Sequence, residues 1–143
     1  MASPSFQLPF SANLGFLWTE LSLPHAIRAA AAAGFEAVEC HWPYDVDPSE
    51  LSSALTETGL PMLGLNTRRG DVGAGDNGLC AIPGRETEAR AAIDEALIYA
   101  KAIGCRNVHV MAGKTVVDID HRLSTIANMD CIIVLDDGFI VNN

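Results

Sequence analysis

Three times along this chain, a segment with helical periodicity ends at a glycine, and a short apolar run follows within a few residues. The glycines are Gly34, Gly59 and Gly104, and the apolar runs cover residues 35–40, 62–66 and 107–111. Glycine commonly follows the last turn of a helix, and such runs, bounded by turn residues, are typical of strands. Parallel neighbours need a connection of a dozen or more residues, usually a helix. The repeat therefore predicts an α/β fold with a parallel sheet, either a barrel or a doubly wound sheet.

The helical segments carry further signals of their own. Residues 24–33 have a proline in the first turn and are mostly alanine, which favours a thin, strongly helical segment. The second helix begins at a capping-box sequence, Asp47-Pro48-Ser49-Glu50. In the third, apolar residues at helical spacing predict a buried stripe of Ala89, Ile93, Ala96, Leu97, Ala100 and Ile103. With a first strand at residues 10–14, this gives about four parallel strands and three crossover helices. Residues 67–85, with five glycines, are predicted to form a long loop, and loops of that length are usually functional or disordered.

Composition and charge argue against several classes of protein. Acidic residues outnumber Lys and Arg by 18 to 9, giving a net charge of -9, whereas binding to nucleic acid or anionic membranes needs a basic surface. No apolar run approaches the ~18 residues of a membrane span, and the first ten residues lack the features of a signal peptide. The four cysteines form no C-x-x-C pair and lie in or near apolar stretches, which is typical of buried thiols in a reducing compartment. We therefore expect a cytoplasmic protein that binds neither nucleic acid nor membrane.

Five spaced sequence segments belong together. They are FSANL at 10–14, AGFEAVE at 33–39, WPYD at 42–45, a glycine-rich loop from RGD at 69–71 to IPGR at 82–85, and VHVMAG at 108–113. In this order they resemble the hydroxypyruvate isomerase family of xylose-isomerase-like (β/α)8 barrels, over about residues 6–113. The resemblance implies an aldose–ketose isomerisation of a small hydroxy-oxo acid, hydroxypyruvate or a close relative. It also implies two Glu side chains as acid and base, and a divalent metal, Mg²⁺ or Mn²⁺, that holds the substrate oxygens.

Chain length limits what this resemblance can supply. A complete (β/α)8 barrel takes about 250 residues, whereas this chain has 143, and its fourth predicted strand ends at Met111. The resemblance places the Glu pair and the carboxylate-rich metal ligands on later strands, and nothing in this chain corresponds to them. We therefore expect a truncated barrel without catalytic residues or metal ligands, which is inactive alone. Its open interior face and edges favour self-association.

The last part of the chain lies outside this resemblance. Residues 115–143 are TVVDIDHRLSTIANMDCIIVLDDGFIVNN, and they resemble the C-terminal end of an ATP-binding-cassette ATPase domain, mainly through HRLSTI and IIVLDDG. This predicts two regions, a half-barrel at 1–113 and a tail at 114–143 that contains a strand, a short helix and a hairpin. The hairpin is expected to pair residues 131–135 with 139–141, since Asp-Gly is a strong two-residue turn signal.

The tail raises two alternative functions. The resemblance aligns His121 with the switch histidine that reaches the nucleotide γ-phosphate, so a fragment of a nucleotide-binding module is one alternative. ATP hydrolysis also needs a P-loop, and Gly113-Lys114-Thr115 match only its last three positions. A chimeric, non-enzymatic gene product is the second alternative.

Six polar residues are candidates for binding a small hydroxy-oxo acid, because active sites in barrels lie at the carboxyl ends of the strands and the loops that follow. They are Asn13, Glu39, His41, Asn66, Arg69 and His109. Structural alternatives exist for three of them: His109 as a hydrogen-bonded core residue, Glu39 as an ion-pair partner of Arg28 or another neighbour, and Arg69 as a solvated arginine rather than a clamp for a substrate carboxylate. Asn13 and Asn66 are expected to hydrogen-bond substrate oxygens.

Overall fold

A computed structural model describes residues 9–113, 134–136 and 139–141. In chain order its elements are β1 (Ser11–Asn13), α1 (Leu23–Ala32), β2 (Ala37–Glu39), α2 (Pro48–Thr58), β3 (Leu65–Asn66), a 3-10 turn (Val72–Ala74), β4 (Asn77–Gly78), α3 (Glu86–Ile103), β5 (Val108–His109), β6 (Ala112–Gly113), β7 (Val134–Asp136) and β8 (Phe139–Val141). The chain divides into two compact units. The first contains the described residues up to Asn66 together with Glu95–His109, and the second contains Thr67–Asp94 and the described residues from Val110 onward.

The first unit contains the predicted parallel strands. β1 pairs with β2, and β3 pairs with β5, both in parallel. A parallel bridge between Val38 and Met62 joins β2 to the segment that leads into β3. The strands therefore follow one another in chain order, with α1 and α2 connecting the first three of them and α3 preceding β5. The α/β architecture of a partial barrel is confirmed for this part of the chain.

The helix boundaries follow the predicted signals closely. The Asp47 side chain caps α2 by accepting a hydrogen bond from the Ser49 backbone N–H at 2.8 Å. Gly59 ends the same helix in the left-handed conformation, with φ 72°, which a residue with a Cβ adopts only at a cost. The core is then filled from both layers, since Ile27 of α1, Leu51 of α2 and Val38 of β2 are fully buried. Each such side chain contributes about 1.5–3 kcal/mol through its removal from water.

Helix α3 departs from the predicted stripe at one position. Leu97 is 53% exposed, whereas Tyr99 is 6% exposed and belongs to the core. The buried face is centred on Ala96 and Ala100, and a residue one position beyond Ala96 lies about 100° further round the helix. The Tyr99 ring packs edge-to-face on Tyr44, with ring centroids 5.5 Å apart. The prediction for Leu97 was wrong because the spacing of apolar residues places the centre of the buried helix face only to within one residue.

In the second unit, the segment that was predicted to be a long loop forms regular structure. Residues 67–85 contain the 3-10 turn and β4, and β4 pairs antiparallel with β6. The strand predicted at 107–111 is shorter in the structure, where only β5 at residues 108–109 falls within it, and β6 follows just beyond it. Arg85 forms ion pairs with Asp76 at 2.6 Å and with Glu88 at 2.7 Å. A Cβ on Gly113 would lie 2.0 Å from the Gly78 carbonyl oxygen, so this crossing requires glycine. Strands of two residues are too short for any apolar pattern, which is why the sequence did not predict them.

The tail contains the predicted hairpin. β7 and β8 pair antiparallel with Asp136 opposite Phe139, although β7 begins three residues later than expected. The predicted tail strand and helix, and His121, lie outside the described residues, so they stay predictions, as does the division of the chain at residue 113. Within the described residues, α3 and the shorter helices do not meet the length and hydropathy of a membrane span.

Candidate functional site

A cavity of about 610 Å³ lies within the first unit, beside the carboxyl ends of its parallel strands. Polar residues that end or follow these strands line it: Asn13, Glu39, His41, Asn66 and His109. Five of the six candidates from the sequence therefore share one cavity. The four chain segments that carry these residues are far apart in the sequence, so only the fold brings them together.

Strand register explains how these side chains converge. Asn13, the last residue of β1, stands opposite Glu39, the last residue of β2. Asn66 and His109 are paired in the same way at the ends of β3 and β5. Successive side chains of a strand alternate between its faces, and the residue before Asn13 and the one before Glu39 are both fully buried. The polar residues therefore occupy the opposite face from the core.

His109 and Asn66 contact each other across the strands. Their closest polar atoms, His109 Nδ1 and Asn66 Oδ1, lie 3.2 Å apart. With the Asn66 amide oxygen as acceptor, Nδ1 carries the proton and Nε2 keeps a lone pair. His109 is exposed, so the interpretation as a core histidine is wrong.

Glu39 lies on the half-buried wall of the cavity without the expected arginine partner. Arg28 instead pairs with Glu57, with an N–O distance of 2.7 Å. The side-chain hydrogen bond from Arg28 lowers the pKa of Glu57. The Arg28 alternative for Glu39 is therefore wrong. The Glu39 backbone carbonyl accepts a hydrogen bond from Leu14 at 2.8 Å, which ties β2 to the end of β1.

Aromatic rings and a short turn hold His41 and Asn13. The His41 ring packs on Phe16, with centroids 5.0 Å apart, and on Trp42 at 5.1 Å. The Asn13 side-chain oxygen accepts a hydrogen bond from the Gly15 backbone N–H at 2.9 Å. Both side chains are thus constrained by the loop that follows β1.

The sequence reasoning missed three residues of this region. Asn107 lines the cavity, and its amide donates to the Leu63 carbonyl at 2.6 Å. The Tyr44 hydroxyl donates to the backbone carbonyl of Asn66, and its place in the WPYD segment was the available signal. Cys40 lines the cavity but is only 4% exposed, and burial raises the pKa of its thiol to about 12. A thiol that stays protonated is a poor nucleophile, so Cys40 serves packing.

Arg69 belongs to the second unit. It is half-buried there, and its backbone carbonyl accepts a hydrogen bond from the N–H of Gly78 at 2.8 Å. His121, the candidate for nucleotide binding, lies outside the described residues. Among the described residues, no group of three His, Cys, Asp or Glu side chains is arranged to hold a metal ion. The described part of the chain therefore does not fit the divalent metal that the sequence resemblance implies.

Comparisons with known proteins cover most of the chain. The family model described as "Xylose isomerase-like TIM barrel" matches residues 27–132. A "Putative hydroxypyruvate isomerase" of Danio rerio is 52% identical over 108 residues, which are 75% of this chain and 39% of that protein. The Homo sapiens protein of the same name is 45% identical over 126 residues, 87% of this chain and 45% of that protein.

Two further relatives agree with these. A "2-oxo-tetronate isomerase" of Haemophilus influenzae is 47% identical over 103 residues, 72% of this chain and 40% of that protein. The crystal structure of "AP endonuclease, family 2" from Brucella melitensis superposes with a TM-score of 0.71 at 40% identity, covering 77% of this chain and 43% of that one. The chain thus spans less than half the length of each of these relatives.

The family match also extends into the C-terminal part of the chain. It runs to residue 132, past residue 113, where the sequence predicted a boundary. None of the similarities above supports the nucleotide-binding alternative. The matched segment is well over half of the chain, and the parallel strands with helical crossovers agree with it. The chain belongs to the xylose isomerase-like TIM barrel family.

Proposed function

We propose that the cavity binds a small hydroxy-oxo acid of the hydroxypyruvate type and forms part of the site of an isomerase. The observation that carries the proposal is the convergence of Asn13, Glu39, His41, Asn66 and His109 on one cavity at the carboxyl ends of parallel strands. Barrel enzymes place their active sites at this face. The names of the isomerase relatives support the same substrate class.

The reaction proposed for the complete site is a proton shift between adjacent carbons. A proton leaves C3, which bears the hydroxyl of hydroxypyruvate, and the electron pair forms an enediolate. The proton of the C3 hydroxyl then passes to the oxygen on C2, a proton returns to C2 itself, and the C3 oxygen becomes the aldehyde of tartronate semialdehyde. Atoms and charge balance without a second substrate. The substrate throughout has oxygens on neighbouring carbons, so a site for it needs several hydrogen-bonding groups side by side.

The cavity residues match that need. The Asn13 and Asn66 amides can donate to carbonyl or enediolate oxygens, and the Glu39 carboxylate can accept from a substrate hydroxyl. In the tautomer favoured by the Asn66 contact, His109 Nε2 also accepts from a hydroxyl. The role of Arg69, in the second unit, as a clamp for a substrate carboxylate stays a prediction from the sequence.

Binding without turnover is the proposal for this chain alone. The resemblance assigns acid–base catalysis to a Glu pair on later strands, and the described residues form no metal site. The residues of this chain are proposed to bind and orient the substrate oxygens.

Histidine NMR tests the proposal directly. The chain has four histidines, so ring signals from labelled histidine can be assigned by single substitutions. Titration with hydroxypyruvate is expected to shift the His41 and His109 signals and to leave those of exposed His25 unchanged. A dissociation constant of about 1 mM corresponds to roughly 4 kcal/mol of binding free energy, a reasonable scale for a few hydrogen bonds to a small acid.

A pair of asparagine variants provides the control. Asn66→Ala removes a cavity amide, whereas Asn77→Ala removes an exposed amide of β4 in the second unit. We expect the first to weaken hydroxypyruvate binding and the second to leave it unchanged. Equal effects of the two variants, or no shift of His41 and His109 at any concentration, would refute the proposed binding site. Formation of tartronate semialdehyde with Mg²⁺ or Mn²⁺ present would refute the proposed lack of turnover.

A further inference from the structure

Gly15 lies against His41 more closely than any side chain would allow. A Cβ built on Gly15 would be 2.2 Å from His41 Nδ1 and 2.3 Å from its Cε1. Gly15 is not among the glycines with positive φ, so its own backbone conformation suits any residue. The requirement for glycine at this position therefore comes from the imidazole of His41.

Two aromatic side chains complete the surroundings of the His41 ring. Phe16 and Trp42 both pack on it with their ring planes steeply inclined, at 85° and 64°. Phe16 is 74% exposed, so core packing does not account for its position. We therefore attribute the position of the Phe16 ring to its contact with the His41 imidazole.

His41, like Cys40, lines two cavities of the first unit. It lines the cavity of about 610 Å³ already described and a second of about 500 Å³ that includes Trp18, Trp42 and Asp45. The Gly15 N–H in turn holds the side chain of Asn13. One loop residue therefore contacts two of the proposed substrate-binding side chains.

We infer that Gly15 and Phe16 are positioning residues that hold the His41 imidazole in the place where it lines both cavities. The absence of a side chain at residue 15 is what allows the imidazole to lie there. The consequence for substrate binding rests on the proposed function, whereas the packing itself does not.

A double-mutant cycle tests the inference without any ligand. Gly15→Ala is expected to lower the Tm by about 5 °C, the scale of a destabilisation of roughly 1 kcal/mol from overpacking. In the His41→Ala background the same substitution should leave the Tm unchanged or raise it, because alanine reduces the entropy of the unfolded chain. Gly73→Ala is the matched control, since its φ is also ordinary and its Cβ would lie 3.2 Å from one side-chain oxygen of Asp71. It should behave alike in both backgrounds.

Histidine ring signals provide the second readout, which a general loss of stability would not move selectively. Gly15→Ala and Phe16→Leu should each shift the His41 signals and leave those of His109 in place. Phe16→Leu preserves apolar volume, so it keeps the test available if Gly15→Ala fails to fold. Unchanged His41 signals in the folded variants, or an equal Tm change for Gly15→Ala in both backgrounds, would overturn the inference.

Hydroxypyruvate titration then separates this inference from the proposed function. If both hold, Phe16→Leu and Gly15→Ala weaken binding severalfold. If the cycle shows coupling but hydroxypyruvate fails to bind the wild-type chain, only the proposed function is wrong. If hydroxypyruvate binds but the cycle shows no coupling, only the positioning role is wrong.

Discussion

Cys40 makes the stability of the first unit sensitive to alkali. Its thiol follows β2 and is 4% exposed. Burial is the largest cause that raises its pKa from 9.0 to about 12, followed by the nearby Cys105 and Glu39. Below pH 9 the thiol is protonated in both the folded and the unfolded chain. Between pH 9 and 12 only the unfolded chain releases the proton, so the free energy of unfolding falls as the pH rises.

The size of this effect follows from the pKa difference. One pKa unit corresponds to about 1.4 kcal/mol, so by pH 11 the folded state loses about 2–3 kcal/mol through Cys40 alone. Cys40→Ala removes the titrating thiol, and its free energy of unfolding should therefore fall by that much less than the wild type's between pH 7.5 and pH 11. Urea unfolding at the two pH values measures both differences.

A neighbouring core substitution controls for lost volume. Val38→Ala, on the same strand, should destabilise the chain by about 1–3 kcal/mol at both pH values, since it removes buried methyl groups without a titratable one. If Cys40→Ala and the wild type lose equal stability up to pH 11, the thiol is not held protonated by burial. The argument that Cys40 serves packing would then fail.

Four further outcomes are expected. Gly59→Ala should cost about 1–2 kcal/mol in urea unfolding because residue 59 is left-handed, with φ 72°; an unchanged midpoint would contradict this. Tyr99→Phe should cost about 1 kcal/mol, since the hydroxyl donates to the Val46 carbonyl at 2.8 Å; full stability would show that this bond is dispensable. Arg85→Gln should speed amide exchange at its ion-pair partner in the preceding loop, Asp76. It should also weaken the loss of stability below about pH 4, because the hydrogen bond from Arg85 lowers the pKa of Asp76; identical acid unfolding of the two proteins would count against this. Finally, we propose self-association through the open half-barrel, and a monomer by light scattering at micromolar concentration would exclude it.

The predictable part of the fold depended on local backbone chemistry. Gly59 and Gly104 both adopt positive φ, as the helix–glycine–strand repeat required, and the proline and Asp47 caps mark helix starts within a residue. These signals are local because each depends on the conformation of one residue. The exposure of Leu97 and the regular structure within residues 67–85 depend on contacts between residues that are distant in the sequence, so no local pattern predicted them.

The candidate site divides in the same way. Convergence of the strand-end residues could be predicted because parallel strands present their carboxyl ends at one edge. The partners of individual side chains could not. Arg28 pairs with Glu57 rather than with Glu39, and the contact of Gly15 with His41 joins two loops whose spacing is set by the whole sheet. Cys40 looked like any buried thiol in the sequence, and only the cavity lining shows its place.

The central claim is that the ends of the parallel strands form one binding site for a small hydroxy-oxo acid. A crystal structure of this chain grown with hydroxypyruvate tests it most directly. The account predicts electron density for the acid between Asn13, Asn66 and His109, with its oxygens within hydrogen-bond distance of those side chains. Density for the acid at a different place, with this cavity filled by protein side chains, would contradict it.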